Sequence, residues 1–202
     1  MNRVLAIAGG SGSGKSTLAA RLVASIGPER ITVLPVDAYY HDLSHLKLDA
    51  REAVNFDHPD ALDLALFADH VASLRSGEAV ACPCYDFTTH CRLAETITIE
   101  PRPTLLVEGI LVAATAELRV LYDHLVYVET GASVRWGRRL HRDQVERGRD
   151  ADSIERFWTR AEQTFTEWGA RALASADIVV DGSSSPEQMM AQLVAQLDPD
   201  WF

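Results

Sequence analysis

"RVLAIAGGSGSGKST", residues 3–17, decides the fold. An apolar run of strand length meets a glycine-rich turn, and a helical pattern begins at the lysine. Residues Gly9 to Thr17, "GGSGSGKST", fit G-x-x-x-x-G-K-[ST] with Gly9, Gly14, Lys15 and Ser16 at the fixed positions. Glycines let backbone N–H groups curl around phosphate oxygens, and the following helix N-terminus adds partial positive charge. The loop as a whole (Gly9, Gly10, Ser11, Gly12, Ser13, Gly14, Lys15, Ser16, Thr17) is expected to hold the phosphates of a nucleoside triphosphate. Lys15 would reach the outer phosphates and Ser16 would ligate Mg²⁺. The loop alone does not say where the terminal phosphate goes, since GTPases, motors and small-molecule kinases all begin this way.

Outward from the loop, apolar strand-like runs alternate with amphipathic helical segments. "RITVLPVDAYY" reads as a second strand closing near Asp37, and "PTLLVEGIL" as a buried strand ending at Glu108. "HLVYVET" and "ADIVVDG" read as further strands, with helices between them. Such alternation implies an α/β fold with a mostly parallel sheet flanked by helices. "AVACPCYDF" and "ETITIEP" read as a β-hairpin inserted at about residues 79–100. No linker divides the chain, so residues 1–202 are expected to form one domain built on the phosphate loop.

The bulk numbers narrow the partners. The chain has 202 residues, a net charge of −10 and 47% apolar residues, with an isoelectric point near 5.1. An acidic surface argues against nucleic acid and anionic membrane as general partners. No apolar run approaches membrane length. An odd set of three cysteines and no export segment argue for a reducing, cytoplasmic setting. The spacing of Cys82, Cys84, His90 and Cys91 is not a usual zinc pattern.

In an open α/β sheet, ligands bind at the carboxyl ends of the strands. Asp37 and Glu108 would both face the phosphate loop, Asp37 as a base for an attacking hydroxyl and Glu108 at the metal site. Lysine occurs only at 15 and 47, whereas six arginines crowd residues 135–149. Arg135, Arg138, Arg139 and Arg142 recur at helical spacing on one face. Arg147 and Arg149 flank a glycine, which suits a closing flap. An arginine-rich lid at about residues 138–152 would neutralise the transferring phosphoryl group and exclude water.

Seven motifs in order, "GGSGSGKST", "VDAYYHDLSHL", "NFDHPDALD", "YDFTTHCR", "LLVEGIL", "RRLHRDQVERGR" and "ADIVVDG", resemble those of uridine–cytidine kinases over roughly residues 4–182. Phosphoribulokinases and pantothenate kinases share the fold and parts of this set. The resemblance implies transfer of the terminal phosphate of ATP or GTP to the 5′-hydroxyl of a pyrimidine ribonucleoside. It also implies a homo-oligomer, since family members often form tetramers. Asp37 would be the base and Tyr40 would line its site. Phe56 and Asp57 would hold the nucleoside, with Asp57 bonding ribose hydroxyls. Tyr85, Phe87 and His90 would stack on and hydrogen-bond the base, with Arg92 supporting that pocket. Arg139 and Arg142 would reach ribose or phosphate, and Arg147 and Arg149 would form the lid.

One stretch departs from the family pattern. In "ERFWTRAEQTF", Phe157 and Trp158 stand where the family carries glutamine and tyrosine. The last strand also lacks the expected proline. A sugar phosphate, a vitamin-like alcohol or another nucleoside as acceptor, or a nucleotide-binding regulator without catalysis, are the competing readings. The aromatic hairpin, which a sugar phosphate would not need, weighs against the non-nucleoside acceptors, and Asp37 with the arginine lid weighs against a regulator.

Overall fold

Alternate residues of β1 (Arg3–Ala8) enter two different cores. The computed structural model describes residues 2–145, 151–198 and 201. Val4, Ala6 and Ala8 face one side of the sheet while Leu5 and Ile7 face the other, all with no exposed surface. A strand buried on both faces needs helices on both faces. α1 (Lys15–Ile26) follows the glycine turn and supplies Leu18 and Leu22 to the Leu5/Ile7 side.

β2 (Ile31–Pro35) ends earlier than expected. Val36–Tyr39 forms a 3-10 turn, so Asp37 sits two residues beyond the strand rather than at its end. A five-residue helix, α2 (Leu48–Glu52), follows, and Pro59–Ala61 makes a second 3-10 turn. α3 (Leu64–Ser76) is capped by the Asp63 carboxylate on the Leu66 N–H and stops at Gly77 in the left-handed conformation (φ 95°). Its Phe67, Val71 and Leu74 cover the Val4/Ala6 side of the sheet.

β3 (Val80–Asp86) and β4 (Cys91–Ile99) form the separate hairpin. β4 starts at Cys91, four residues before the alternating run suggests. The Asp86 carboxylate accepts from the Thr88 N–H (2.8 Å) and the Thr89 hydroxyl (2.7 Å), and His90 takes a left-handed φ of 55°. These devices reverse the chain within residues 87–90 and extend the pairing down to Asp86↔Cys91. The register shifts between Pro83 and Tyr85, where proline cannot donate to the ladder.

β5 (Thr104–Glu108), α4 (Ala116–Arg119), β6 (His124–Glu129), α5 (Ala132–Val145) and α6 (Ala151–Thr164) follow. α6 runs into a π turn at Phe165–Gly169, then come α7 (Arg171–Ala174), β7 (Ile178–Asp181) and α8 (Pro186–Val194). The central sheet has the order β2-β5-β1-β6-β7, and every pairing is parallel. Ile7 and Pro35 both register with Glu108. That alignment brings the phosphate loop, Asp37 and Glu108 to one edge of the sheet. Among the described residues no helix is long and apolar enough to cross a membrane.

Candidate active site

The loop after β1 is shaped by glycines that nothing larger could replace. Gly12 adopts φ 77°, and a Cβ there would stand 2.5 Å from the Arg135 carbonyl oxygen of α5. Gly14 takes φ 104° as the N-cap of α1, which leaves Lys15 and Ser16 as the first residues of that helix. Gly9, Gly10 and Ser13 form the curve of the loop and line neither of the clefts described next. The loop is braced from outside. Thr130 Oγ1 donates to the Ser13 carbonyl (2.9 Å), and Arg138 Nη1 donates to the carbonyls of Ser13 (3.2 Å) and Gly182 (2.8 Å).

Two clefts meet at this loop. One is lined by Gly12, Gly14, Thr17, Arg138, Ser184, Pro186 and Met189, with Lys15, Ser16 and Arg142. The other carries Ser11, Asp37, Tyr40, Phe56, Asp57, Tyr85, Phe87, His90, Glu108 and Arg139, together with the same Lys15, Ser16 and Arg142. Shared walls of one lysine, one hydroxyl and one arginine suit a group that passes from one cleft to the other.

Three carboxylates converge on the second cleft. The Ser16 hydroxyl donates to Glu108 Oε2 at 3.2 Å. Burial raises the Glu108 pKa above its ordinary value, and the Asp37 charge adds to this. The Lys15 ammonium and the Ser16 hydrogen bond oppose it. Asp57 is also raised, first by burial and then by Asp37, while Arg139 and Lys15 pull it down. Among the described residues no cluster of three or more His, Cys, Asp or Glu could enclose a metal by itself. A hydroxyl and a carboxylate side by side are hard oxygen donors. They fit a cation whose remaining ligands are phosphate oxygens and water.

Aromatic rings make the opposite wall. Phe56 and His90 stack at 4.8 Å with 19° between planes. Tyr40 meets Phe56 edge-on at 5.3 Å and Tyr85 at 5.2 Å, and Phe87 lies 5.2 Å from Tyr85. Tyr40 also donates its hydroxyl to the Phe56 carbonyl (3.1 Å), fixing the 54–63 loop against the 3-10 turn. Buried within this wall, the Tyr85 hydroxyl has no hydrogen-bond partner among the described residues.

The arginines divide their work. Arg139 and Arg142 line the second cleft, and Asp143 pairs with both, at 3.5 and 2.8 Å. Arg135, expected on the same clamp, instead binds Glu162 of α6 with both terminal nitrogens, and Arg138 holds loop carbonyls. Arg147 and Arg149 lie outside the described residues. Arg92, expected to support that pocket, does not itself line the cleft. It donates to the carbonyls of Tyr40 (3.1 Å) and Tyr39 (2.9 Å) and pairs with Asp63 (3.3 Å), clamping the hairpin to the turn that carries Asp37.

α6 supplies lining that motif reading did not assign. Phe157, Arg160 and Ala161 face the cleft beside Val54, Asn55 and Ile110. Trp158 points elsewhere, against Trp136 at 5.5 Å and Arg135 at 5.3 Å. Asn55 could have been found, since it opens "NFDHPDALD". It accepts from the Asp57 N–H and donates to the Thr164 hydroxyl (2.8 Å), tying the loop to α6. Arg160 carries no motif signal.

The parallel sheet, the phosphate loop and the paired clefts define a P-loop phosphotransferase. The chain belongs to the phosphoribulokinase / uridine kinase family, whose model matches residues 4–188. It is 40% identical over 196 residues to a uridine kinase of Chloroflexus aurantiacus, covering 96% of this chain and 94% of that one. A uridine kinase of Shewanella baltica is 42% identical over 182 residues, covering 88% and 86%. Solved structures of more distant sequence share the fold. D-glycerate 3-kinase of Cryptococcus neoformans superposes with a TM-score of 0.65 at 17% identity, over 91% of this chain and 87% of that one. Phosphoribulokinase of Rhodobacter spheroides gives 0.65 at 15%, over 92% and 73%.

Proposed function

We propose that the protein is a uridine/cytidine kinase of pyrimidine salvage. It transfers the terminal phosphate of ATP or GTP to the nucleoside 5′-hydroxyl. The carrying observation is the cleft that joins Lys15 and Ser16 to an aromatic wall of Tyr40, Phe56, Tyr85, Phe87 and His90. A flat base wants such walls, and its polar edge wants a few directed partners, which the Tyr85 hydroxyl and His90 imidazole supply. A sugar phosphate would need neither.

Asp37 takes the proton of the 5′-hydroxyl as that oxygen bonds the terminal phosphorus and the bond to the bridging oxygen breaks. Asp57 and Arg139 hold the ribose. Lys15, Arg139 and Arg142 offset the charge on the transferring group. Ser16 and Glu108 would hold Mg²⁺, which when bound neutralises phosphate oxygens. The apolar Phe157 ring, where the family resemblance implies an amide, leaves Asp57 and Arg139 as the polar groups on the ribose. Three free thiols accord with a cytoplasmic setting.

ADP release from ATP and Mg²⁺ with uridine, cytidine, ribulose 5-phosphate or pantothenate, each alone, tests the assignment. Uridine or cytidine should stimulate release strongly and the other two should not. Stimulation by another acceptor alone would overturn the substrate.

A further inference from the structure

α6 forms one wall of the acceptor-side cleft through Phe157, Arg160 and Ala161. The next residue, Glu162, turns back to α5. It receives two hydrogen bonds from the buried Arg135, Nη1 to Oε1 at 2.6 Å and Nη2 to Oε2 at 2.7 Å. The guanidinium is also held by the rings of Trp158 (5.3 Å) and Phe165 (4.7 Å), and its Nε donates to the Thr130 carbonyl (3.0 Å). Its fork is therefore fixed in place as well as paired.

Arg135 presses directly on the phosphate loop. A Cβ on Gly10 would lie 2.6 Å from Arg135 Nη1, and one on Gly12 would lie 2.5 Å from the Arg135 carbonyl. A second route runs through Thr130, which accepts from Arg135 Nε and holds the Ser13 carbonyl through its hydroxyl. Neither Arg135 nor Glu162 lines either cleft.

We infer that Glu162 and Arg135 are positioning residues that tie the acceptor wall to the phosphate loop, so that a carboxylate on α6 sets affinity for the donor phosphates. The bidentate pair fixes the guanidinium, the guanidinium fixes Gly10 and Thr130, and the loop N–H groups keep the curvature that phosphate needs. Coupling of this kind is reciprocal, so acceptor-side packing of α6 and donor affinity move together.

Glu162→Gln keeps the side-chain shape and one carbonyl acceptor while removing the charge and the bidentate fork. The probe is AMP-PNP with Mg²⁺, titrated calorimetrically into the full chain. It requires no acceptor, so it reads out whether or not uridine proves to be the substrate. Kd should rise about tenfold in Glu162→Gln, with Arg135→Lys rising similarly because a point charge cannot replace the fork. Glu155→Gln, an exposed change on the same helix, should stay within twofold of the parent protein. Where turnover is measured, KM for ATP should rise while kcat changes less. A purely structural role would lower the melting temperature and the active fraction but leave AMP-PNP affinity of the folded protein intact. An unchanged Kd in Glu162→Gln overturns the inference, whatever happens to stability.

Discussion

The hydroxyl of Ser16 lies 3.2 Å from Glu108 Oε2, although the two residues are 92 positions apart. The parallel pairing of β1 with β5 makes the meeting, because Ile7 and Glu108 share a register position. A hydroxyl at the start of α1 and a carboxylate at the end of a neighbouring strand form the oxygen pair expected for a hard cation. In Glu108→Gln, the Mg²⁺ concentration giving half-maximal activity should increase about tenfold or more, within the range for weakened metal ligation. A Mg²⁺ titration of initial rate measures this, and an unmoved midpoint would remove Glu108 from the metal site.

Asp57 yields a prediction about pH and stability. Its carboxyl is raised above the ordinary 3.8, chiefly by burial. Between the unfolded and folded values the folded chain holds more protons than the unfolded one, so stability falls as pH rises through that window. The cost is absent below the unfolded value and complete above the folded one. In the ligand-free protein, Asp57→Asn should therefore raise Tm at pH 7.5. The gain should shrink to nothing near pH 4. Calorimetric melts across that range decide it, and a Tm lowered at pH 7.5 would contradict the sign.

Tyr85 carries a buried hydroxyl without a partner among the described residues. Burial raises its pKa, with the nearby Cys91 adding to the effect, so the phenol stays protonated and can donate. An unsatisfied buried hydroxyl costs folding energy, and the energy returns when a ligand accepts the bond. Tyr85→Phe should hold or raise Tm yet raise the nucleoside KM about tenfold, leaving the KM for ATP alone. Steady-state kinetics with each substrate varied in turn test this, and an unchanged nucleoside KM would place Tyr85 outside recognition.

Arg92 acts at one remove. Its three hydrogen-bonded groups reach Tyr40, Tyr39 and Asp63, which binds the hairpin to the turn bearing Asp37. Arg92→Ala should lower Tm by a few degrees, consistent with loss of a partly buried polar network worth about 1–3 kcal/mol. The nucleoside KM should rise with little change for ATP. Arg92→Lys should recover little, since an ammonium cannot span both carbonyls and the carboxylate. Full recovery with lysine would reduce the role to charge alone.

The phosphate loop and the parallel sheet were legible because each rests on local rules: glycine spacing, a buried apolar run and a helix start. Asp37 and Glu108 were legible because strand ends in such sheets share one edge. The arginine helix was legible only as a face. Arg135, Arg138, Arg139 and Arg142 do recur together, but spacing cannot say that the face meets a partner helix, loop carbonyls and a cleft in turn. Arg92 was legible only as support for the pocket, since two of its partners are backbone carbonyls that carry no sequence signal. The early start of β4 depends on Asp86 and on the left-handed His90, a side-chain choice invisible to alternation. Arg160 and Ala161 enter the cleft only through the packing of α6 on the 53–57 loop, where Arg160 donates to the Ala53 carbonyl (2.9 Å).

In the proposed reaction Asp37 directs phosphoryl transfer onto a nucleoside 5′-hydroxyl. Mass spectrometry of products from uridine and 5′-deoxyuridine, with the parent protein and Asp37→Asn, tests it most directly. The parent should yield uridine 5′-monophosphate, Asp37→Asn at least a hundredfold less, as loss of a general base implies, and 5′-deoxyuridine should yield no product. Phosphate appearing on 5′-deoxyuridine, or undiminished product from Asp37→Asn, would contradict it.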